Sequence, residues 1–222
     1  MTAASDLSAA IRRGLREIAD PALAPGQQAY MKSKMPFLGV RVPVVRQTVR
    51  TLAKGDQDAE VLQAAALELW RGATHREERY AALAVMALRP VRGRRSTLPV
   101  HEEMIRTGAW WDFVDEASHR LRELLDADAR VGEEMRAWSR ADDMWMRRAS
   151  IICQLGRRGD TDLDLLSTAI TANVDDPEFF IRKAIGWALR DYARHDPDWV
   201  RAFVASHPLS PLSRREALKQ LE

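Results

Sequence analysis

The stretches RRASIIC (147–153) and RKAIGWA (182–188) decide the fold class, because each places a small residue between basic and aliphatic side chains. The stretches RYAALAV (79–85) and DEASHRL (115–121) align with them on Ala81, Ala117, Ala149 and Ala184, at spacings of 36, 32 and 35 residues. This period is typical of stacked helix pairs, in which small residues let neighbouring helices approach. The repeat predicts an all-α, superhelical array of antiparallel helix pairs, which is a solenoid with a concave face.

Helical periodicity continues through the rest of the chain, and strand-type alternation between paired turn residues does not occur. Prolines and glycines fall where short turns between helices are needed. No linker divides the sequence, so one domain over residues 1–222 is predicted. The predicted helices span residues 5–19, 25–33, 43–54, 58–71, 75–88, 98–107, 110–125, 129–140, 142–156, 161–173, 177–194, 197–206 and 211–221.

Composition narrows the class of protein. A chain of 222 residues with 46% apolar residues can bury a sizeable core, and no apolar run reaches the roughly 18 residues of a membrane span. The N-terminus lacks a signal-peptide pattern and Cys153 is the only cysteine, so a soluble protein of the reducing cytoplasm is expected. The net charge is only +2, but 29 of the 34 cations are Arg, whose planar fork suits phosphate oxygens.

Two adjacent tryptophans lie on different faces of the helix predicted from residue 110. Trp111 lies about 100° round the helix from Trp110, on a stripe that is otherwise polar, and one turn before Asp115. A flat ring beside a carboxylate outside the core points to a site rather than to packing. The apolar stripe that we expect to form the core comprises Trp110, Val114, Ala117, Leu121 and Leu124.

Two later helices also carry polar residues in unexpected places. Arg148 interrupts an apolar stripe, so its side chain either extends to solvent or points into the groove between repeats, where a phosphate or a carboxylate would pair with it. Trp187 is surrounded at helical spacing by Lys183, Arg190 and Arg194. Cations interleaved with an aromatic ring suit a nucleic-acid backbone together with a base or sugar. We expect these cations on the inner face of the array and the acidic residues on its outer surface.

Other chemistry lacks its usual sequence signatures. The five histidines have no HExxH or CxxC companion, and the chain contains no GxGxxG, GxxxxGK[ST] or GxSxG motif. No metal and no cofactor are therefore expected.

The chain resembles the DNA alkylation repair family of HEAT-like-repeat DNA glycosylases, the AlkD type. The resemblance covers essentially the whole chain. It is carried by YMKSKMPFLGVRVPVVR from Tyr30, WWDFVDEAS from Trp110, MWMRRASIICQL from Met144 and EFFIRKAIGWALRDYAR from Glu178.

The resemblance implies roles for individual residues. Asp115 takes the place of the family's catalytic carboxylate, Trp111 and Trp187 take the places of two site tryptophans, and Arg148 that of a DNA-contacting arginine. Lys183, Arg190 and Arg194 are expected to add contacts to the DNA backbone. Tyr30 either approaches the DNA or serves as a hydrophobic residue of a turn.

The implied activity is hydrolysis of the N-glycosidic bond of cationic N3- or N7-alkylated purines, such as 3-methyladenine and 7-methylguanine, in duplex DNA. The implied partner is alkylated double-stranded DNA bound on the concave face by a monomer, which would associate with the nucleoid when bound. The alternative is a catalytically weak or inactive scaffold that binds DNA structures or a protein partner.

Overall fold

The computed structural model describes residues 2–55 and 57–221. This part of the chain contains α-helices, two short 3₁₀ turns and no strand, which confirms the all-α prediction. Each predicted helix corresponds to one observed helix, with ends that differ by at most four residues. The helices are α1 (Ala3–Glu17), α2 (Ala24–Met31), α3 (Val42–Leu52), α4 (Ala59–Arg71), α5 (Arg76–Val85), α6 (Leu98–Gly108), α7 (Trp111–Ala127), α8 (Val131–Trp138), α9 (Met144–Ile152), α10 (Leu163–Thr171), α11 (Phe179–Tyr192), α12 (Pro197–Ser206) and α13 (Pro211–Leu218).

The helices fall into two compact units, Met1–Arg92 and Gly93–Glu222. The single domain predicted over residues 1–222 stays a prediction. None of the described helices is both long enough and apolar enough to cross a membrane.

In the N-terminal unit, α1, α3 and α5 pack against one another, and α4 packs on α1 and α5. Each of these helices turns one apolar stripe inward, as the helical period requires. The stripe residues Ile11, Leu15, Val45, Leu62 and Leu69 are completely buried. Burying a side chain of this size stabilises a fold by about 1.5–3 kcal/mol, so these stripes hold the unit together.

A buried carboxylate fixes the PFLG loop of the N-terminal unit. Glu77, in the first turn of α5, is fully buried and accepts backbone N–H bonds from Leu38 (2.9 Å), Gly39 (2.9 Å) and Val40 (3.0 Å). Gly39 has φ +87°, and a Cβ there would lie 1.9 Å from the carbonyl oxygen of Asp20. Only glycine fits this position. The PFLG segment therefore has a structural role in this unit.

In the C-terminal unit, α7, α9, α11 and α13 pack in succession to form one layer. The even-numbered helices lie alongside, with α8 and α10 on α9, and α12 on α11 and α13. The N-terminal ends of α7, α9 and α11 meet through aromatic rings, and one cleft is lined by residues from the C-terminal half of α7, the turn after α9 and the C-terminal end of α11. These three helices therefore run parallel, and the chain returns through α8 and α10. This arrangement confirms the array of helix pairs.

The aligned small residues lie in the buried core of the array. Ala117, Ala149 and Ala184 are completely buried. Gly186 lets α13 approach α11, because a Cβ at this position would lie 2.5 Å from the Cβ of Glu216 and 2.9 Å from the Ser213 carbonyl oxygen. The repeat identified in the sequence thus marks the contact surfaces of the array.

Candidate functional site

Asp115 and Trp111 occupy the same side of α7 at its N-terminal end. Trp111 is the first residue of the helix, Asp115 lies one turn later, and both side chains are half-buried. The core stripe of the same helix is correctly predicted for Val114, Ala117, Leu121 and Leu124, which are all buried. The ring and the carboxylate are thus held on a rigid helix, outside the packed seam.

Arg148 meets Asp115 in a two-pronged ion pair. Its Nε donates to one carboxylate oxygen at 2.8 Å and its Nη2 donates to the other at 2.9 Å. Its Nη1 donates to the Phe180 carbonyl oxygen at 2.6 Å. The Arg148 side chain is only 5% exposed and that of Asp115 is 16% exposed. Of the two groove partners that the sequence left open for Arg148, a phosphate or a carboxylate, the structure supplies a carboxylate.

Burial and charge act in opposite directions on Asp115. Loss of hydration raises the pKa of the Asp115 carboxyl above its ordinary value, and the hydrogen bonds and charge of Arg148 partly offset that rise. Arg148 therefore favours the ionised carboxylate. Each carboxylate oxygen has about two lone-pair positions, so each has one left for a water or a cationic group after bonding Arg148. This carboxylate can stabilise a developing positive charge or orient a water molecule.

A cluster of aromatic rings that the sequence analysis did not predict adjoins this ion pair. Phe180 lies 5.8 Å from the Trp110 ring centroid and 5.1 Å from that of Trp145, and the Arg148 guanidinium carbon lies 5.8 Å from the Phe180 ring centroid. Phe179 stacks edge-on against Phe180 and is 56% exposed. The available signal was the pair Phe179–Phe180 at the start of α11, opposite Trp110 and Trp145 at the starts of α7 and α9. Trp110 is thus a packing residue, although it is half-buried rather than fully buried.

The cations of α11 have acidic partners that the sequence analysis placed elsewhere. Lys183 and Arg190 bind the two carboxylate oxygens of Glu216 on α13, at 3.0 Å and 2.5 Å. The hydrogen bond from Lys183, together with Arg190, lowers the pKa of Glu216. The expectation that acidic residues lie on the outer surface is therefore wrong for Glu216, because the close approach of α13 at Gly186 brings its carboxylate among the cations.

Trp187 and Arg194 complete the predicted face of α11. Trp187 is half-buried and packs against the apolar core of the C-terminal unit. Arg194, just beyond the helix, is exposed and donates to the side-chain oxygen of Gln220 at 3.2 Å. The DNA contacts predicted for Lys183, Arg190 and Arg194 stay predictions.

Tyr30 belongs to the N-terminal unit. It lies near the end of α2 and is 77% exposed, beside a shallow hollow of about 330 Å³ lined also by Leu23, Gly26, Gln27 and Arg41. An exposed tyrosine ring is available for a partner, and the predicted DNA contact of Tyr30 stays a prediction. Residues 2–55 and 57–221 hold no group of three or more His, Cys, Asp or Glu side chains placed to bind a metal ion.

Comparisons with known proteins identify the family of the chain. The chain is similar to a solved structure described as a predicted DNA alkylation repair enzyme from Enterococcus faecalis, with a TM-score of 0.78 and 28% identity over 91% of this chain and 96% of that chain. A search of the curated proteins found no match. The family model for DNA alkylation repair enzymes matches residues 11–221. The chain therefore belongs to the DNA alkylation repair enzyme family, and its role lies in DNA repair.

Proposed function

We propose that this protein is a DNA glycosylase that hydrolyses the N-glycosidic bond of N3- or N7-alkylated purines in duplex DNA and leaves an abasic site. The observation that carries the proposal is the Asp115 carboxylate, which is held by Arg148 in one orientation one turn from Trp111. In a member of a DNA alkylation repair family, an oriented carboxylate outside the core is the group best suited to an electron-poor sugar.

The chemistry follows from the charge of the lesion. An alkylated N3 or N7 gives the purine a positive charge, so the bond from C1′ to N9 breaks with its electron pair moving to the base, which leaves neutral. The positive charge then develops on the deoxyribose. Asp115 stabilises this oxocarbenium-like sugar and orients a water molecule, whose oxygen bonds C1′ while its proton passes to solvent water. The ring faces of Trp111 and Trp187 add cation–π stabilisation.

Arg148 is assigned a positioning role in this scheme. All three of its guanidinium nitrogens already donate to protein acceptors, which are the two oxygens of Asp115 and the carbonyl of Phe180. It therefore orients the carboxylate and favours its ionised form. Lys183, Arg190 and Arg194 would neutralise backbone phosphates, and a phosphate near the first two competes with Glu216.

The second candidate is a scaffold that binds DNA without catalysis. The same ion pair favours it, since a largely buried Asp–Arg pair can serve packing alone. A scaffold of this kind does not require Asp115 to carry a charge, and a glycosylase does.

The test is release of 3-methyladenine and 7-methylguanine from methylated duplex DNA. We expect Asp115→Asn to reduce release at least a hundredfold, because a neutral amide cannot offset the sugar charge, while binding to a duplex with an abasic-site analogue changes little. Asp126→Asn is the matched control, since Asp126 lies on the same helix, is exposed and pairs with Arg157 at 2.9 Å. Unchanged release by Asp115→Asn would remove Asp115 from the catalytic role, and no release by the unaltered protein would support the scaffold instead.

A further inference from the structure

A basic cleft lies at the other end of α7, α9 and α11 from the aromatic cluster. It has a volume of about 630 Å³ and is lined by Arg122, Gly156, Arg158, Asp191, Arg194 and His195. The lining contains three guanidinium groups and one carboxylate. A cleft with this excess of positive charge attracts anions and favours phosphate oxygens in particular.

Arg158 is the residue that distinguishes this cleft from ordinary surface. Its φ of +55° is in the left-handed region, which is unfavourable for a residue with a Cβ. Its side chain is exposed and makes no hydrogen bond or ion pair within the described part of the chain. Glycine or asparagine would adopt this backbone more easily. An unfavourable backbone that carries an unpartnered arginine into a basic cleft indicates a ligand-binding role.

Helix capping accounts for only part of the cleft. Cations near helix C-terminal ends are stabilised by the carbonyl groups that these ends leave unpaired. Arg122 fits this explanation, because its Nη1 donates to the Leu155 carbonyl at 3.2 Å just beyond α9. Asp191 also has a partner within the chain, because its carboxylate accepts a hydrogen bond from the Gly156 N–H at 2.6 Å. Arg158 caps no carbonyl in the described chain, so capping does not explain why it is there.

The cleft lies on the same helices as the candidate site. Arg122 follows Asp115 by seven residues along α7, which is about two turns or 10 Å. Arg194 follows Trp187 by the same seven residues at the end of α11. Successive phosphates of one strand advance by about 3.4 Å along the duplex axis, so a strand that runs along α7 from a lesion at Asp115 would bring its third phosphate near the cleft.

We infer that this cleft binds a backbone phosphate of the DNA strand, about three nucleotides from the lesion, with Arg158 as its principal contact. The inference rests on the proposed function for the position of the lesion. Arg122 and Arg194 complete the phosphate site, and Gly156 leaves room for the Arg122 guanidinium, which lies 2.8 Å from the position that a Cβ on Gly156 would occupy.

The test compares variants of Arg158 in the full chain, with a duplex containing an abasic-site analogue as the ligand. Binding is measured between about 50 and 200 mM salt. We expect Arg158→Asn to reduce the salt slope of binding by about one and to weaken binding about tenfold at 0.1 M, as loss of one phosphate contact does. Arg158→Lys retains the charge and should restore most of the slope. The melting temperature of Arg158→Asn should not fall, because asparagine tolerates the left-handed backbone.

Arg201→Gln is the matched control, because Arg201 is an exposed arginine of α12 whose partner is Asp198. It removes the same charge outside the cleft, and its salt slope should stay unchanged. An equal loss in this variant, or an unchanged slope in Arg158→Asn, overturns the inference. Stabilisation by inorganic phosphate that depends on Arg158, without any change in DNA binding, would assign the cleft to a free anion and also overturn it.

The two proposals fail separately in this design. If Arg158→Asn loses binding as expected but the unaltered protein releases no base, the phosphate site stands and the glycosylase proposal is wrong. Base release that depends on Asp115, together with an unchanged slope in Arg158→Asn, would do the reverse.

Discussion

The two units each contain a carboxylate that is withdrawn from water, and the two are satisfied in opposite ways. Glu77 of the N-terminal unit is completely buried and accepts three backbone N–H bonds from the loop at residues 38–40. Asp115 of the C-terminal unit keeps 16% of its side chain exposed and accepts two hydrogen bonds from a single side chain, that of Arg148.

This difference separates a folding role from a chemical one. The donors around Glu77 are backbone groups that no ligand can replace. The carboxylate of Glu77 therefore stabilises the loop at residues 38–40 and is not available to a ligand. The donor to Asp115 comes from one side of the carboxylate, and lone pairs stay available on the other. Burial alone therefore does not identify a site, and the kind of partner does.

The largest effect on stability is expected from Glu77→Gln. The substitution replaces an acceptor of three N–H bonds by an amide whose NH₂ group opposes at least one of them, so the free energy of unfolding should fall by about 3 kcal/mol. Urea unfolding measures this loss. Asp115→Asn should cost clearly less, since its amide oxygen still accepts a bond from Arg148. Equal losses would break the contrast between the two carboxylates.

The next effect concerns the pH dependence of base release. The ionised form of Asp115 is the active one in the proposed mechanism, so release should fall as the pH drops below the pKa of this carboxyl. Arg148 lowers that pKa against the rise caused by burial. Arg148→Gln removes the lowering contribution, so the pKa rises further and the acid limb of the profile moves to higher pH.

Arg147→Gln is the control for this shift. Arg147 is the neighbouring residue of α9 and pairs with Asp176 at 2.9 Å, so its loss should leave the pH profile in place. If Arg148 instead contacts a phosphate, Arg148→Gln would reduce the salt slope of DNA binding by about one and leave the acid limb unmoved.

The fold could be predicted from the sequence because successive helices repeat the same local pattern. The small residues at Ala117, Ala149 and Ala184 and the helical period are both local patterns, and both are borne out by complete burial. Helix ends were less accurate. The predicted helix 142–156 ends at Ile152 in the structure, because apolar periodicity continues into the turn that follows.

For the candidate site, the sequence could predict only which residues share one face of a helix. Helical spacing placed Trp111 and Asp115 together, since they lie one turn apart on one helix. It could not show that Arg148 pairs with Asp115 or that Glu216 pairs with Lys183 and Arg190. These pairs join residues 26 to 33 positions apart, and their formation depends on how closely neighbouring helices pack.

The smallest effect on stability is expected at two adjacent tryptophans, Trp110 and Trp111. They differ as the two carboxylates do, because one serves packing and the other the site. The Trp110 ring packs against Trp145 and Phe180, and its buried indole N–H has no hydrogen-bond partner in the described chain. Trp110→Phe should therefore lower the free energy of unfolding by no more than about 1 kcal/mol, because lost ring area is offset by removal of an unsatisfied donor. Base release should stay near normal. Trp111→Ala should show the opposite pattern, with near-normal unfolding and reduced release, because its ring lies outside the packed seam. A Trp110→Phe variant that unfolds normally but loses base release would transfer the site role from Trp111 to Trp110.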